Sequence, residues 1–150
     1  MKKTFPYHIA SLAFLWFGFV CGISFLEAPL KFQAPNITQA LGLGIGRIVF
    51  SALNKVEWFF AIGILLIGLV YRPKLNVVLL YSAVLLILVM DTFWLLPLLD
   101  QRAGVIIDGG IPPTSHLHLT YISAEIVKLL LLLILGAQQF QNLISDEKED

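Results

Sequence analysis

The chain has 150 residues, 58% of them hydrophobic and 13% charged, with a mean hydropathy of +0.85. Soluble domains usually carry about 25% charged residues, so this composition excludes an ordinary soluble domain and indicates an integral membrane protein. Ten basic and ten acidic residues balance to a net charge of zero, which gives no reason to expect nucleic acid as a partner.

The first predicted membrane span covers about residues 8–28. Two lysines precede its apolar run as they would in a signal peptide, but no small-x-small cleavage site follows, so we expect the helix to be retained. Gly18 and Gly22 form a G-x-x-x-G pair that would permit close contact with another helix. Cys21 is the single cysteine, which excludes an intramolecular disulfide and favours a buried thiol.

A linker is predicted from Ala28 to about Gly46, because Pro29 and Pro35 interrupt helix. Residues 38–45 would form a short turn at the membrane interface. The same stretch contains the pattern G-x-G-x-G, but no βαβ unit surrounds it. A phosphate-binding loop is therefore not favoured.

Three further spans are predicted at about 47–71, 75–99 and 116–140. Each exceeds the roughly 20 residues that cross a hydrocarbon core of about 30 Å. A tight basic turn at 72–74 and a loop at 100–115 connect them, and an acidic cytoplasmic tail covers 141–150. The sequence therefore predicts one all-α domain over residues 1–150, an integral membrane four-helix bundle.

Basic residues near the helix ends indicate which side of the membrane each end faces. If both termini are cytoplasmic, the cytoplasmic side holds Lys2, Lys3, Arg72, Lys74 and Lys148, and the opposite side holds Lys31, Arg47 and Arg102. This bias predicts an N-in, C-in orientation. We expect the bacterial inner (cytoplasmic) membrane as the location, with the lipid bilayer itself as one partner.

The fourth span begins with a polar stripe formed by His118, Tyr121, Glu125 and Lys128. At about 100° per residue these side chains fall within an arc of roughly 80°, so they share one helix face. An ionisable group that faces lipid near the bilayer centre would cost roughly 2.5–3.5 kcal/mol. We therefore expect this face to contact protein or water.

The other spans also carry their polar residues in the outer half. Glu27 and Lys31 are spaced to pair if the first helix continues that far. Most polar residues of the second span lie within an arc of about 120° around the helix, so they share one face. The candidate ligand-binding residues are Glu27, Arg47, Asn54, Glu57, Trp58, Asp91, Trp94, His118, Tyr121, Glu125 and Lys128.

Two functions fit this pattern, and a third stays open. The favoured one is a polar site that binds or handles a small ligand or solute, with acids as anionic contacts or proton acceptors and aromatic residues as walls. The alternative is a structural or accessory subunit whose buried ion pairs only specify helix packing, with Lys128, Lys55 and Arg47 neutralising the acids. The third is a membrane enzyme acting on a lipid or quinone. A homo-oligomer and a membrane protein partner are both compatible with the sequence.

A metal site is not predicted, and no cofactor can be assigned. His116, His118 and Glu125 supply donor types suited to zinc. However, residues two apart on a helix point to different sides, so both histidines could bind one ion only if His116 lay in the loop. Catalytic residues cannot be assigned, because no nucleophile motif occurs.

Four stretches resemble a family of small bacterial four-helix membrane proteins of unknown function, which is related to a eukaryotic transmembrane family. They are FLEAPLKFQAP (25–35), GLGIGRIVFSALNKVE (42–57), DTFWLLPLLDQR (91–102) and PPTSHLHLTYISAEIVK (112–128). The resemblance implies a four-helix membrane bundle. It implies no established activity and no catalytic assignment.

Overall fold

A computed structural model describes the backbone of residues 5–148 and the side chains of residues 7–70 and 72–141. Within these ranges the chain forms four long helices and no strand. Helix α1 consists of Phe5–Val20, a π-helical segment Cys21–Glu27, Ala28–Leu30 and a final 3₁₀ turn Lys31–Gln33. Helix α2 is Gln39–Tyr71. Helix α3 consists of Leu75–Met90, a π-helical segment Asp91–Leu95 and Leu96–Ile107, and helix α4 is Leu117–Lys148.

The four helices form an antiparallel bundle in which each helix packs against the next and α4 packs against α1. The most extensive contact joins α1 and α4. One end of the bundle, formed by residues 28–47 and 96–118, lies opposite the end that holds Phe5 and Lys148. We call it the distal end; it is the end that the sequence predicts to face outward.

All four helices are long and apolar enough to cross a membrane, over Tyr7–Gln33, Gln39–Val70, Leu75–Ile107 and Leu117–Gln141. This agrees with the four predicted spans. Large apolar side chains cover the outside of the bundle, for example Phe59 with 71% of its surface exposed and Leu69 with 66%. A surface of this kind fits contact with lipid. The N-in, C-in orientation stays a prediction.

The apolar core lies in the half of the bundle nearest the termini. Trp16 is fully buried there and stacks on Phe60, with ring centroids 6.4 Å apart. Gly136 allows close packing of α4 on α1, since a Cβ at this position would lie 2.8 Å from the Phe14 ring. Of the buried polar side chains among the described residues, Gln139 lies in this half, and the other four lie near the middle of the bundle.

The linker predicted at 28–46 is much shorter than expected, because helix continues on both sides. Pro29 lies two residues after the π-helical segment, where the regular hydrogen-bond ladder is already interrupted and a missing N–H is tolerated. Thr38 caps α2, its Oγ1 accepting from the N–H of Leu41 at 3.2 Å. The prediction of a separate turn at 38–45 was therefore wrong, and the break lies at 34–38 around Pro35.

The loop predicted at 100–115 is also shorter, because α3 continues to Ile107. Pro97 follows the second π-helical segment as Pro29 follows the first. The tight turn at 72–74 is confirmed: Arg72 adopts φ +52° and donates its N–H to the carbonyl of Gly68 at 2.8 Å. The side chains of residues 142–150, most of the predicted acidic tail, lie outside the described residues.

Candidate functional site

A buried ion cluster joins the four helices near the middle of the bundle. The Lys128 ammonium lies 2.5 Å from Glu57 Oε1, 2.6 Å from Glu125 Oε1 and 3.0 Å from Asp91 Oδ2. These four side chains are at most 2% exposed. Trp16 of α1 donates its Nε1–H to Glu57 Oε1 at 2.9 Å. Each helix thus contributes to one network.

Local helix geometry explains two of these contacts. Glu125 and Lys128 are three residues apart on α4, so they lie on the same face. Asp91 begins the π-helical segment of α3, which is the kind of irregularity often found at functional sites. The cluster lies nearer mid-helix than the sequence predicts, because α2 and α3 extend further toward the distal end than their predicted spans.

A cavity of about 830 Å³ lies between this cluster and the distal end. All four helices line it, and most of its wall is apolar, including Phe25, Phe50 and Ile122. Tyr121 is buried and contacts Phe50 edge to face, with ring centroids 5.8 Å apart. Glu125 belongs to both the cavity wall and the ion cluster, so it connects the two.

One polar wall of the cavity is organised around Thr92. Its Oγ1 accepts hydrogen bonds from Asn54 Nδ2 at 2.9 Å and from Trp58 Nε1 at 3.0 Å. Its own hydroxyl lies 2.7 Å from the carbonyl of Leu88, to which it donates. This network fixes α2 against α3 and leaves the Asn54 amide at the cavity surface.

Two ion pairs lie at the distal part of the cavity. Lys31 Nζ pairs with Glu27 Oε2 at 3.3 Å, and the same ammonium lies 5.3 Å from the ring centroid of Phe50. Arg47 makes a two-pronged contact with Asp100, with Nη2 at 2.8 Å from Oδ2. The Arg47 and Asp100 side chains are 40% and 49% exposed, so water screens them.

Two glycines of the G-x-G-x-G run allow the end of α1 to approach α2. A Cβ at Gly42 would overlap the ring of Phe32, and a Cβ at Gly46 would lie 3.1 Å from Lys31 Nζ. No described atom lies within 4 Å of a Cβ built at Gly44. The outer two glycines therefore shape the cavity wall, which accounts for their spacing without a phosphate.

The structure brings most of the candidate residues together. Arg47, Asn54, His118, Tyr121 and Glu125 line the cavity, and Glu57, Asp91 and Lys128 form the cluster beneath it. The remaining three do not line the cavity. Glu27 pairs with Lys31 of the cavity wall, and Trp58 donates a hydrogen bond to Thr92, which lines it. Trp94 is 50% exposed and lies away from the cavity.

Two details of the predicted charge balance were wrong. Lys55 is exposed, and Arg47 binds Asp100, so among the described residues Lys128 is the one basic side chain that contacts the three buried acids. The sequence analysis did not predict that Trp16 and Thr92 bind candidate residues of the site. Thr92 directly follows the candidate acid Asp91, which could have indicated it. Nothing in the sequence distinguishes Trp16 from an aromatic anchor at the membrane interface.

Three buried oxygens at the site have unused hydrogen-bonding capacity. Within the described part of the chain, Glu125 Oε2, Asp91 Oδ1 and Ser24 Oγ are buried and have no hydrogen-bond partner. A buried acceptor without a partner costs free energy, roughly 1–3 kcal/mol for a neutral group and more for a charged one. A ligand that donates to Glu125 from the cavity would remove part of that cost.

A metal ion has no prepared position among the described residues, where no three His, Cys, Asp or Glu side chains are suitably grouped. The chain matches no protein-family model, no curated protein and no solved structure. The function must therefore follow from the geometry of the site.

Proposed function

We propose that this chain is an integral membrane protein that binds a small amphipathic molecule in the cavity at its distal end. The observation that carries the proposal is the cavity of about 830 Å³ with Glu125 in its wall. Ligand sites typically measure about 300–1,000 Å³, are mostly apolar and present a few converging polar groups. The apolar walls would hold the body of the ligand, while Asn54 and Glu125 would orient its polar end.

The proposal places the distal end on the outer side of the membrane, as the distribution of basic residues predicts. A ligand would then enter past Lys31, Arg47 and His118, whose side chains line the cavity. The proposed relationship to small bacterial four-helix membrane proteins is compatible with this reading and adds no activity to it.

A cavity-filling substitution tests the proposal. Ser51 lines the cavity, whereas Ser123 is exposed and lies outside it, so Ser51→Trp and Ser123→Trp form a matched pair. Each protein is purified in mild detergent, incubated with a membrane extract and analysed by native mass spectrometry. We expect the wild type and Ser123→Trp to carry a stoichiometric small molecule that Ser51→Trp lacks. Equal occupancy of both variants, or a wild type that takes up nothing, would overturn the proposal.

The buried cluster favours a second candidate function, a structural subunit. Lys128 is satisfied by three acids without any ligand, and such buried pairs can specify helix packing. If the protein is a structural subunit, Glu125→Gln lowers its stability and does not alter the uptake of a small molecule. The cavity above the cluster has no role in this candidate, which is why we prefer ligand binding.

A further inference from the structure

The charges around the cavity are unbalanced in a way that bears on the chemistry of its ligand. The cavity and the cluster beneath it combine the acids Glu27, Glu57, Asp91, Asp100 and Glu125 with the bases Lys31, Arg47 and Lys128. Five acidic groups thus accompany three basic groups, in two separate ion pairs and one cluster. Resting on the proposed function, we infer that the ligand is an organic cation with an apolar body, such as a primary amine.

The unused hydrogen-bonding capacity of the site also favours a cationic ligand. Each of the three basic side chains already contacts a carboxylate. Among the described side chains, four buried atoms have no partner: Glu125 Oε2 and Asp91 Oδ1 accept, the Ser24 hydroxyl accepts and donates, and Gln139 Nε2 donates. Of these residues, Glu125 and Ser24 line the cavity, and Glu125 is the one with an acidic side chain. An ammonium donates and carries positive charge, so it complements Glu125 in both respects.

The cavity wall also suits a cation. The ammonium of Lys31 already lies 5.3 Å from the centroid of Phe50 and 5.8 Å from that of Phe32. Aromatic faces attract cations within about 6 Å of the ring centroid. Phe25 and Tyr121 add further aromatic surface to the same wall. A ligand ammonium can therefore leave water without losing all favourable electrostatic contact.

An anionic ligand fits less well. A carboxylate or phosphate would have to share Lys31 with Glu27 or Arg47 with Asp100, which already neutralise these two cations. The anion would then approach a region in which acids already outnumber bases. The same inventory that favours a cation thus opposes an anion.

Three probes with one body and different head groups test the inference. They are 4-phenylbutylamine, 4-phenylbutanol and 4-phenylbutyrate, which are cationic, neutral and anionic at pH 7. Calorimetric titration of the wild type in detergent is expected to show amine affinity at least about tenfold above that of the alcohol, since bonds to charged groups are the stronger ones. The butyrate is expected to bind weakest.

Glu125→Gln keeps a side chain of similar shape and removes the negative charge. We expect it to lower the amine affinity about tenfold or more and to leave that of the alcohol nearly unchanged. If this variant fails to fold, the ranking of the three probes on the wild type still decides the inference.

The outcomes separate the two proposals. Alcohol or butyrate binding as tight as that of the amine overturns the cation inference, and the cavity stays the ligand site if Ser51→Trp abolishes the binding. Failure of Ser51→Trp to affect any probe, or no binding of any probe, counts against the cation inference and the proposed cavity function together.

Discussion

Lys128 provides the most direct test of the buried cluster, because one cation there serves three acids. At contacts of 2.5–3.0 Å and an effective dielectric constant near 20, each attraction is about 6 kcal/mol. The cost of removing the ions from water offsets much of this. Removing one partner of a buried pair nevertheless costs about 3–5 kcal/mol, since it leaves charge uncompensated. We expect Lys128→Met to lose at least that much unfolding free energy.

The measurement is reversible unfolding by SDS in mixed micelles. A matched control is Lys55→Met, which removes an exposed lysine of α2 and should shift stability by no more than about 0.5 kcal/mol. A quadruple variant that also carries Glu57→Gln, Asp91→Asn and Glu125→Gln removes all four charges. It should recover most of the loss, because it leaves no uncompensated charge in the cluster. A Lys128→Met protein within about 1 kcal/mol of wild type would refute this reasoning.

Three further predictions concern the cavity walls. Gly42→Ala displaces the Phe32 ring and should lower the unfolding free energy and the uptake of ligand. Gly44→Ala has space for its Cβ and should raise the unfolding free energy by roughly 0.5–1 kcal/mol in the same SDS titration. Thr92→Val leaves two side-chain donors without their acceptor and should cost about 1–3 kcal/mol, read from the shift in unfolding midpoint. A double-mutant cycle on Arg47 and Asp100 should give a coupling below about 1 kcal/mol that falls with added salt; a larger, salt-independent value would contradict its exposed position.

The four helices could be predicted because hydropathy and length suffice to identify a candidate span. The polar stripe of α4 was also predictable, since helical periodicity alone places Tyr121, Glu125 and Lys128 on one face, and all three are buried. The pairing of Glu27 with Lys31 followed from their spacing and is confirmed.

The remaining features depend on relations between helices that no single segment contains. Which acid reaches Lys128 is set by the rotation and crossing of three helices, so Glu57 and Asp91 could be candidates but not assigned partners. The end of the first helix was misjudged because a proline such as Pro29 usually marks a break. Here a π-helical segment precedes the proline and lets the helix continue.

The two π-helical segments affect how the protein would tolerate insertions and deletions of single codons in evolution. A π turn holds one residue more than the α turn that it replaces, so Asp91–Leu95 resembles a single-codon insertion in a regular helix. Deleting one codon there would convert the π turn to an α turn and leave the helix after it in the same rotational position, so Asp100 would still reach Arg47. The same holds for Cys21–Glu27 and the end of α1. Single-codon deletions at these two points would thus change the cavity wall and the cluster locally, while the helix on both sides of each point kept its register.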